Sequence, residues 1–281
     1  MSRWSHRREL QIVVSPEHVA LLQMRRSMTW RGLRRVVNDA YRVPCDSAGC
    51  AQPWRAALLE LETALPGYAD GKTAATVILS NHFLRYALVP WRAELADAEE
   101  DLSFARHCFT RIYGESARQW ELCLSQQTHE APRLASAVDA ELLEMLRAMF
   151  DRAGVALQSI QPHLMVAFNG CRGYLGKRSA WFALLEQGNL CLALLSQGSW
   201  QRIRSLRVGP AWHVELPLIL EREAYLASVQ EVPHEVYLWN AGAGAMALPE
   251  SDAWQFHALN PPLEVGAAPD PGRQFAWAMA G

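Results

Sequence analysis

The clearest hydrophobic pattern in the chain is the stretch 74–91, which is apolar, lacks a helical period and is rich in β-branched and aromatic residues. Residues 76–79 are apolar enough for a strand that is buried on both faces, and 83–89 resume the run after a polar break at 80–82. From 93 to 112 the apolar residues recur at helical spacing, and acids fill the first half. A buried strand that leads into an amphipathic helix predicts an α/β unit, with 74–91 in a central sheet.

The rest of the pattern predicts an opening hairpin followed by alternating strands and helices. Two apolar runs, 10–14 and 19–24, flank a Ser-Pro-Glu turn and predict the hairpin. Residues 29–44 fit either a third strand or a basic helix, and the strand is favoured. Further helices are predicted at 53–65, 138–153, 162–168 and 215–229, and further strands at 119–124, 133–136, 155–160, 180–185, 190–196, 201–208 and 235–239.

The order of elements in the first part of the chain returns in the second part. Residues 180–208 form a predicted meander of strands, and helix and strand patterns follow it as they follow the opening hairpin. This order predicts an α/β protein of two lobes, 1–165 and 166–281, each with a mixed sheet that starts in a β-meander. With 281 residues and a hydrophobic fraction of 50%, the chain can bury two such cores.

The charge of the chain is unevenly distributed. The net charge is −2, but residues 1–42 hold nine arginines and three acids, a formal charge of +6, which leaves −8 for the remainder. The basic region either contacts anionic lipid or an acidic partner, or is an ordinary solvated surface. Because only Trp4 and Trp30 lie near these arginines, we expect no nucleic-acid partner. Eight of the nine arginines lie before residue 36, namely Arg3, Arg7, Arg8, Arg25, Arg26, Arg31, Arg34 and Arg35, and the ninth is Arg42.

Cysteine spacing and hydropathy give expectations about compartment and metals. The six cysteines form no CxxC pair and no Cys/His spacing typical of zinc, so we expect reduced thiols in a cytoplasmic protein and no metal site. Cys45 and Cys50 are the pair closest in sequence, for which a redox or metal role is the alternative. Since about 18 uncharged apolar residues nowhere run together, the chain is not expected to cross a membrane.

Six segments carry a resemblance to a known superfamily. They are the opening hairpin 10–22, RYALVPW with the helix that reaches RIYG at 114, the helix and strand of 143–160, LLEQGNLCLALLSQGSW at 184–200, EVYLWNAGAGA at 235–245 and the terminal QFAWAMAG. In this order they resemble the actin-like ATPase superfamily, which has a ribonuclease H-like fold. Within it the chain is similar to the type IV pilus assembly protein PilM and the cytoplasmic domain of the type II secretion protein GspL.

The resemblance implies a nucleotide site, and the residues at that site depart from the family pattern. Actin-like ATPases carry an Asp-x-Gly run in the first hairpin and repeat it in the second. In the first hairpin this chain has Val13 and Ser15 at those positions, and in the second it has Leu184 or Leu185 with Glu186. Without these acids the chain has no evident binding site for Mg²⁺ and ATP, so no catalytic residue and no cofactor are assigned.

Part of the family's nucleotide site is retained. If nucleotide binds, the resemblance places it against Asn240, Gly242 and Gly244, in a Gly-rich turn, and against Gly188 of the second hairpin. The alternative is a strand-to-helix turn that needs small residues for packing. GYADGKT at 67–73 is not a phosphate loop, since three residues rather than four separate its glycines.

The polar break after the first central strand is a second candidate site. Ser80, Asn81 and His82 follow that strand, at the edge where open α/β sheets bind ligands. The alternative is a polar turn in which Asn81 supports the backbone conformation and His82 bonds locally.

Two functional hypotheses follow from these observations, beside a third alternative, an α/β interaction domain of unrelated role. The first is a non-catalytic actin-like scaffold of a type IV pilus or type II-like secretion apparatus, which docks the cytoplasmic segment of an inner-membrane partner. The second is an actin-like ATPase or kinase in which Glu17 or Asp70 supplies the missing acid. The eleven tryptophans fit a docking protein but are equally used in cores.

Overall fold

The computed structural model describes residues 8–29, 32–47, 49–69, 72–93, 97–125, 130–227, 231–241 and 247–259, with the backbone alone in 25–29 and 32–38. The strands are β1 (Arg8–Val14), β2 (His18–Thr29), β3 (Gly32–Pro44), β4 (Thr73–Leu79), β5 (Leu84–Val89), β6 (Trp120–Leu124), β7 (Arg133–Asp139), β8 (Ala156–Pro162), β9 (Ala180–Glu186), β10 (Asn189–Ser196), β11 (Ser199–Arg207), β12 (Glu235–Asn240) and β13 (Gln255–Ala258). The α-helices are α1 (Trp54–Ala64), α2 (Ala98–Tyr113), α3 (Ala140–Ala153), α4 (His163–Leu175) and α5 (Trp212–Tyr225).

The chain forms two compact units, and each contains a five-stranded mixed sheet. The first sheet has the order β3-β2-β1-β4-β8, and the second has the order β11-β10-β9-β12-β13. In each sheet the first three strands are an antiparallel meander, and the last two are parallel to the first strand of that meander. The prediction of two related mixed sheets that start in a β-meander is therefore confirmed.

Burial explains the central position of β1 and β9 in their sheets. The apolar residues of 10–14 in β1 are at most 1% exposed, Gln11 among them is 7% exposed, and all of 180–186 in β9 is buried. Strands that are paired on both sides and covered on both faces need such continuous apolar runs. β8 alternates between exposed and half-buried residues, as expected at the edge of a sheet.

A third, smaller sheet lies in the second unit. It has the order β5-β7-β6, and β5 pairs with β7 in antiparallel orientation. Helix α2 covers it and buries Ala105 and Phe109 against Ala87, Val89 and their neighbours in one apolar cluster. The Tyr113 hydroxyl at the end of α2 donates to the Tyr86 carbonyl oxygen at 2.9 Å, which fixes the end of the helix to the sheet.

Helices α2 and α3 begin and end at residues that satisfy their terminal peptide groups. The Asp97 carboxylate accepts hydrogen bonds from the backbone N–H groups of Glu99 and Glu100, each at 2.9 Å. Gly114, with φ +73°, ends α2, and Gly154, with φ +65°, ends α3. Because of the Asp97 cap, α2 starts at Ala98 and not at 93 as the periodicity alone predicts.

The structure corrects the expectation that 74–91 lies in one central sheet. β4 joins the five-stranded sheet of the first unit, where it is parallel to β1. A short 3-10 turn, Asn81–Phe83, ends it, and β5 then enters the three-stranded sheet of the second unit. Both strands are buried and apolar, so the hydrophobic pattern alone does not show which sheet each one joins.

Other differences from the predicted elements are smaller. Within the ambiguous segment 29–44, Gly32–Pro44 forms strand β3; α4 continues to Leu175, and α5 starts at Trp212. The sequence did not predict β13, because the segment Gln-Phe-His-Ala is short. Its residues are exposed or half-buried in the structure. Its parallel pairing with β12 creates the strand.

The two units are interleaved along the chain. The first comprises the described residues of 1–83 together with 139–166, and the second comprises those of 84–138 and 167–259. Each five-stranded sheet lies wholly within one of the expected lobes, 1–165 and 166–281. The segment 84–138, with the three-stranded sheet, packs with the second unit.

Candidate functional site

The turn between β1 and β2 is closed by hydrogen bonds between its own residues. The Ser15 backbone N–H donates to the His18 carbonyl oxygen at 3.0 Å, and the His18 N–H donates to the Ser15 hydroxyl at 3.1 Å. The Ser15 Oγ also lies 2.9 Å from that carbonyl oxygen and 3.0 Å from His18 Nδ1. Both side chains are buried. The backbone N–H of Ser15 is therefore occupied within the turn.

Arg42 on β3 completes this group. Its Nη2 lies 3.1 Å from His18 Nδ1. A guanidinium carries only donors, so Nδ1 is the acceptor in this contact. Ser15, His18 and Arg42 thus form a closed structural network at the end of β1.

The hairpin between β9 and β10 matches the first hairpin residue by residue. Val14 accepts a hydrogen bond from the Ser80 N–H, and Leu185 accepts one from the Ala241 N–H, both at 2.9 Å. Val14 pairs with Val19 across the first hairpin, and Leu185 pairs with Leu190 across the second, so the two turns have equal lengths. By this equivalence Val13 corresponds to Leu184, Ser15 to Glu186 and Glu17 to Gly188.

The positions where the family carries its acids are aliphatic and buried. Val13 is 1% exposed and Leu184 is fully buried. Two carboxylates lie at the turns instead: Glu17 within the first turn, half-buried, and Glu186 at the end of β9, next to the second turn, buried. Glu17 Oε1 lies 3.9 Å from His82 Nε2. In the described parts of the chain no group of three or more His, Cys, Asp or Glu residues has the geometry of a metal site.

The candidate residues after β4 have mainly structural contacts. Asn81 is 1% exposed, and its Oδ1 accepts a hydrogen bond from the Leu164 N–H in the first turn of α4 at 3.2 Å. Ser80 is also 1% exposed, and its hydroxyl accepts from the His82 N–H at 3.3 Å. His82 is half-buried beside Glu17, so the structure brings the three residues and the first turn to the same sheet edge.

Two of the candidate nucleotide-binding residues lie at the corresponding edge of the second sheet. Asn240 ends β12 opposite Leu185, and Gly188 lies in the turn that follows β9. Gly188 has φ +76°, and a Cβ there would meet nothing within 4 Å, so the turn conformation requires the glycine. Gly242 and Gly244 lie outside the described residues.

A shallow groove of about 270 Å³ lies between α1 and α3. Its floor contains Leu58 and Met149, and ion pairs flank it, since Arg152 Nη2 lies 2.8 Å from Glu62 Oε1. Arg55 pairs with Glu141 in the same region. With an apolar floor and paired charges, this groove offers no arrangement of acids or free backbone donors for a phosphate group.

The cysteines do not form a reactive site. Burial raises the pKa of Cys45 to about 11 and those of Cys171 and Cys191 to about 12. A thiol with such a pKa is protonated at neutral pH and is a poor nucleophile and a poor metal ligand. Cys45 and its neighbour Cys50 are both free thiols.

One charged group was missed by the sequence reasoning. Glu223 on α5 is fully buried and is surrounded by Arg202, Arg204 and Arg222. A signal for it exists in the sequence, because Glu223 follows Leu216 and Leu220 at the helical spacing of the buried face. An acid on that face requires basic partners, and β11 carries arginines at alternate positions.

The part of the chain that the structure describes holds no helix that is long and apolar enough to span a membrane. No protein-family model matches the chain, and no curated protein matches it. Similarity appears at the level of structure.

Three solved structures illustrate this similarity. The cytoplasmic domain of EpsL, an inner membrane component of the type II secretion system of Vibrio cholerae, has 14% identity over 90% of each chain and a TM-score of 0.56. A chain of the PilM-PilN type IV pilus biogenesis complex has 14% identity over 83% of this chain and 81% of its own, with a TM-score of 0.57. A Bacteroides thetaiotaomicron protein of unknown function with an actin-like ATPase fold has 10% identity over 94% and 96%, with a TM-score of 0.56. At these identities the likeness concerns the fold, and the chain therefore has the actin-like ATPase fold that it shares with the EpsL domain and the PilM-PilN structure.

Proposed function

We propose that this protein is a non-catalytic actin-like scaffold, which docks the cytoplasmic segment of an inner-membrane component of a type IV pilus or type II-like secretion apparatus. The observation that carries the non-catalytic part is the closed turn between β1 and β2. Its Ser15 N–H donates to the His18 carbonyl oxygen, and the Ser15 hydroxyl accepts from the His18 N–H, so both groups are used within the turn.

The aliphatic residues beside the turns support the same proposal. Phosphoryl transfer depends on Mg²⁺ and on positioned charge, because the protein has little covalent chemistry to contribute. Val13 and Leu184 supply neither charge nor metal ligands, and their side chains are buried in the sheets. The residues at the two turns thus do not fit Mg²⁺ with a nucleoside triphosphate, and no reaction step is assigned to this protein.

The alternative is a divergent ATPase or kinase, and one observation favours it. Glu17 and His82 are half-buried at the edge of the first sheet, and Glu186 lies next to the equivalent turn of the second. If these acids replaced the missing ones, ATP turnover would depend on them. Asp70, the other acid considered, lies outside the described residues.

ATP turnover and nucleotide binding distinguish the two functions. We expect no hydrolysis above the uncatalysed rate with Mg²⁺ or Mn²⁺, and no saturable binding of a fluorescent ATP analogue. Turnover at about 1 s⁻¹ or faster that is abolished in Glu17→Ala or Glu186→Ala would replace the scaffold by the enzyme. Arg118→Gln, at an exposed site elsewhere, is the control for non-specific loss.

The proposed partner and compartment rest on the resemblance in fold. The EpsL domain is the cytoplasmic part of an inner membrane component, and PilM is solved in complex with PilN. By analogy, this chain works in the cytoplasm beside the inner membrane and binds a membrane component, with no nucleic-acid partner. N-terminal arginines then provide a peripheral contact with anionic lipid.

The partner is tested with synthetic peptides. Each peptide represents the cytoplasmic segment of a membrane component that is encoded beside the gene for this chain. Saturable binding of one of them, with no binding of its scrambled version, supports the docking function. If none binds and deletion of the gene leaves pilus assembly and secretion unchanged, the assignment to such an apparatus is wrong.

A further inference from the structure

Helix α5 presents an exposed apolar ridge. Val214 and Leu218 on α5 are 64% and 66% exposed, and Leu226, the residue that caps the C-terminal end of the helix, is 49% exposed. The three continue one i, i+4 row, with Arg222 between the last two. Residues four apart on a helix form a ridge that packs into the groove of another helix. Tyr225, beside this row, is 90% exposed. We call Val214, Leu218, Arg222 and Leu226 the α5 ridge.

A basic cluster lies at the C-terminal end of the α5 ridge. Arg202 Nε lies 2.7 Å from Glu223 Oε2, Arg222 Nη2 lies 3.2 Å from Glu223 Oε1, and Arg204 Nε lies 3.7 Å from Oε2. Arg202 Nη1 also donates to the Leu226 carbonyl oxygen at 3.3 Å. These contacts join β11 to the end of the ridge, and hydrogen bonds to Glu223 hold the side chains of Arg202 and Arg222 in place.

The cluster has more positive than negative charge. Three guanidinium groups surround the single carboxylate of Glu223, whose side chain is 1% exposed, so the group carries a formal charge of +2. The side chains of Arg204 and Arg222 are 52% and 57% exposed, and part of each guanidinium therefore remains open to a second anion. Glu221, exposed on the next row of α5, reduces the positive charge on that side.

An apolar ridge that ends at a fixed basic cluster is complementary to an amphipathic helix with acidic residues. Apolar side chains of such a helix would pack on Val214 and Leu218, and a carboxylate would bind Arg222 and Arg204 together. Arginines that are already held by Glu223 lose little conformational freedom on binding, which favours this arrangement.

We propose that the α5 ridge with Arg202 and Arg204 is a docking surface for an acidic amphipathic helix of a partner protein. This inference rests on the proposed docking function and adds to it the surface and the chemistry of the bound segment.

The probe for this inference is a designed helical peptide of about 20 residues, with leucines at i, i+3, i+4 and i+7 and glutamates at the remaining positions. Its binding to the full chain is measured by fluorescence anisotropy at low and high salt. A second peptide, in which lysine replaces every glutamate, has the same apolar face and the opposite charge. We expect the acidic peptide to bind at least tenfold more tightly than the basic one, and to weaken as salt rises.

Matched variants locate the binding surface. Leu218→Ser should weaken binding about tenfold, whereas Leu59→Ser, at a leucine of the same 66% exposure on α1, should not change it. Arg222→Gln should weaken binding and reduce its salt dependence, and Glu221→Gln, one residue away, should strengthen it or leave it unchanged. Circular dichroism and urea unfolding confirm that each variant is folded.

The outcomes separate this inference from the function on which it rests. Equal affinity for both peptides, no binding up to about 1 mM, or equal effects of Leu218→Ser and Leu59→Ser would each overturn the docking surface. If Leu218→Ser abolished a dimer of this chain, the ridge would be an interface between two copies; if it abolished vesicle binding, the ridge would bind lipid. Either result would also overturn the proposed docking surface for a partner helix. If a membrane partner's segment still binds the Leu218→Ser variant, the scaffold function stands and this surface is wrong.

Discussion

Arg26 on β2 and Arg35 on β3 are directly opposite each other in the antiparallel ladder between these strands. Arg25 and Arg34 belong to the pairs on either side of it in the same ladder. All four arginines lie past Met24, the residue of β2 that forms the last described pair with β1, opposite Glu9. Four arginines thus lie within a short length of one ribbon.

If the ribbon contacts anionic lipid, it should direct the protein to anionic vesicles. Each arginine near such a surface contributes about 1 kcal/mol, so Arg25/Arg26/Arg34/Arg35→Gln should reduce binding at least tenfold. Raised salt should reduce binding as well, because the Debye length is about 8 Å at physiological ionic strength. Co-sedimentation with anionic and neutral vesicles measures both effects.

The matched control for this prediction changes four arginines that are exposed outside the N-terminal region. They are Arg118, Arg152, Arg172 and Arg207. Equal sedimentation of both quadruple variants, or equal binding to anionic and neutral vesicles, would show that the arginines of the ribbon are ordinary solvated surface.

Removal of the buried carboxylate at Glu223 should destabilise the second unit. In Glu223→Ala the guanidinium of Arg202, whose side chain is only 24% exposed, loses its partner, and we expect a loss of about 3 kcal/mol. Glu115→Ala breaks a pair in which both side chains are more than 70% exposed, and it should cost under about 0.5 kcal/mol. Urea unfolding of both variants gives the comparison, and a similar small cost for both would contradict the structural role of Glu223.

The glycine in the second hairpin is required by its backbone conformation. Gly188→Ala places a Cβ at φ +76°, and we expect it to lower the free energy of unfolding by about 1 kcal/mol. Gly67→Ala is a control, since that glycine also has open space around it but no positive φ. Equal midpoints of urea unfolding for the two variants would show that conformation is not the reason for Gly188.

Thiol modification should divide the cysteines by exposure. Cys50 and Cys123 are exposed and should react rapidly with an aromatic disulfide reagent at pH 8. Cys171 and Cys191 are buried with pKa values raised to about 12, so even at pH 9 only about one thiol in a thousand is ionised. Their reaction should wait for unfolding by urea. Rapid labelling of Cys191 in the folded protein, identified by peptide mass, would contradict its burial.

The raised pKa values also predict a loss of stability at alkaline pH. The pKa of the Cys191 thiol is about 12 in the folded protein and 9.0 in an unperturbed thiol. Since the pKa is higher in the folded protein, the contribution of this thiol to the free energy of unfolding is complete below about pH 9. This contribution is lost as the pH rises towards 12. Cys191→Ala should reduce the slope of unfolding free energy against pH in this range, and Cys50→Ala should not. An unchanged slope in Cys191→Ala would contradict the raised pKa of the Cys191 thiol as the cause of this loss of stability.

The sequence by itself determined the local elements and their order. Continuous apolar runs fix β1, β9 and β10 as buried strands, because no other pattern supplies strands that are covered on both faces. The repeated order of meander and α/β units, with the resemblance to actin-like ATPases, predicted the two related sheets. The absence of acids at Val13 and Leu184 could also be read from the sequence once the hairpins were aligned.

The tertiary structure decided features that depend on contacts between distant residues. β4 and β5 are both apolar and adjacent in sequence, but their partners, β1 and β7, place them in different sheets. β13 exists because β12 offers a free edge, and its own sequence does not favour a strand. Pairing energy comes from the partner strand, so single-strand patterns do not encode it.

The chemistry at the turns and on α5 was likewise settled by long-range geometry. Ser80 and Asn81 follow a central strand at an edge where sheets bind ligands, but in the folded chain Ser80 accepts a hydrogen bond from the His82 N–H and Asn81 holds the start of α4. Glu223 looked like one acid among many until β11 placed arginines around it. A sequence lists polar groups, but only the fold determines which of them bond to one another and which remain available to a partner, because a buried polar group must be satisfied by whatever the tertiary structure brings near it.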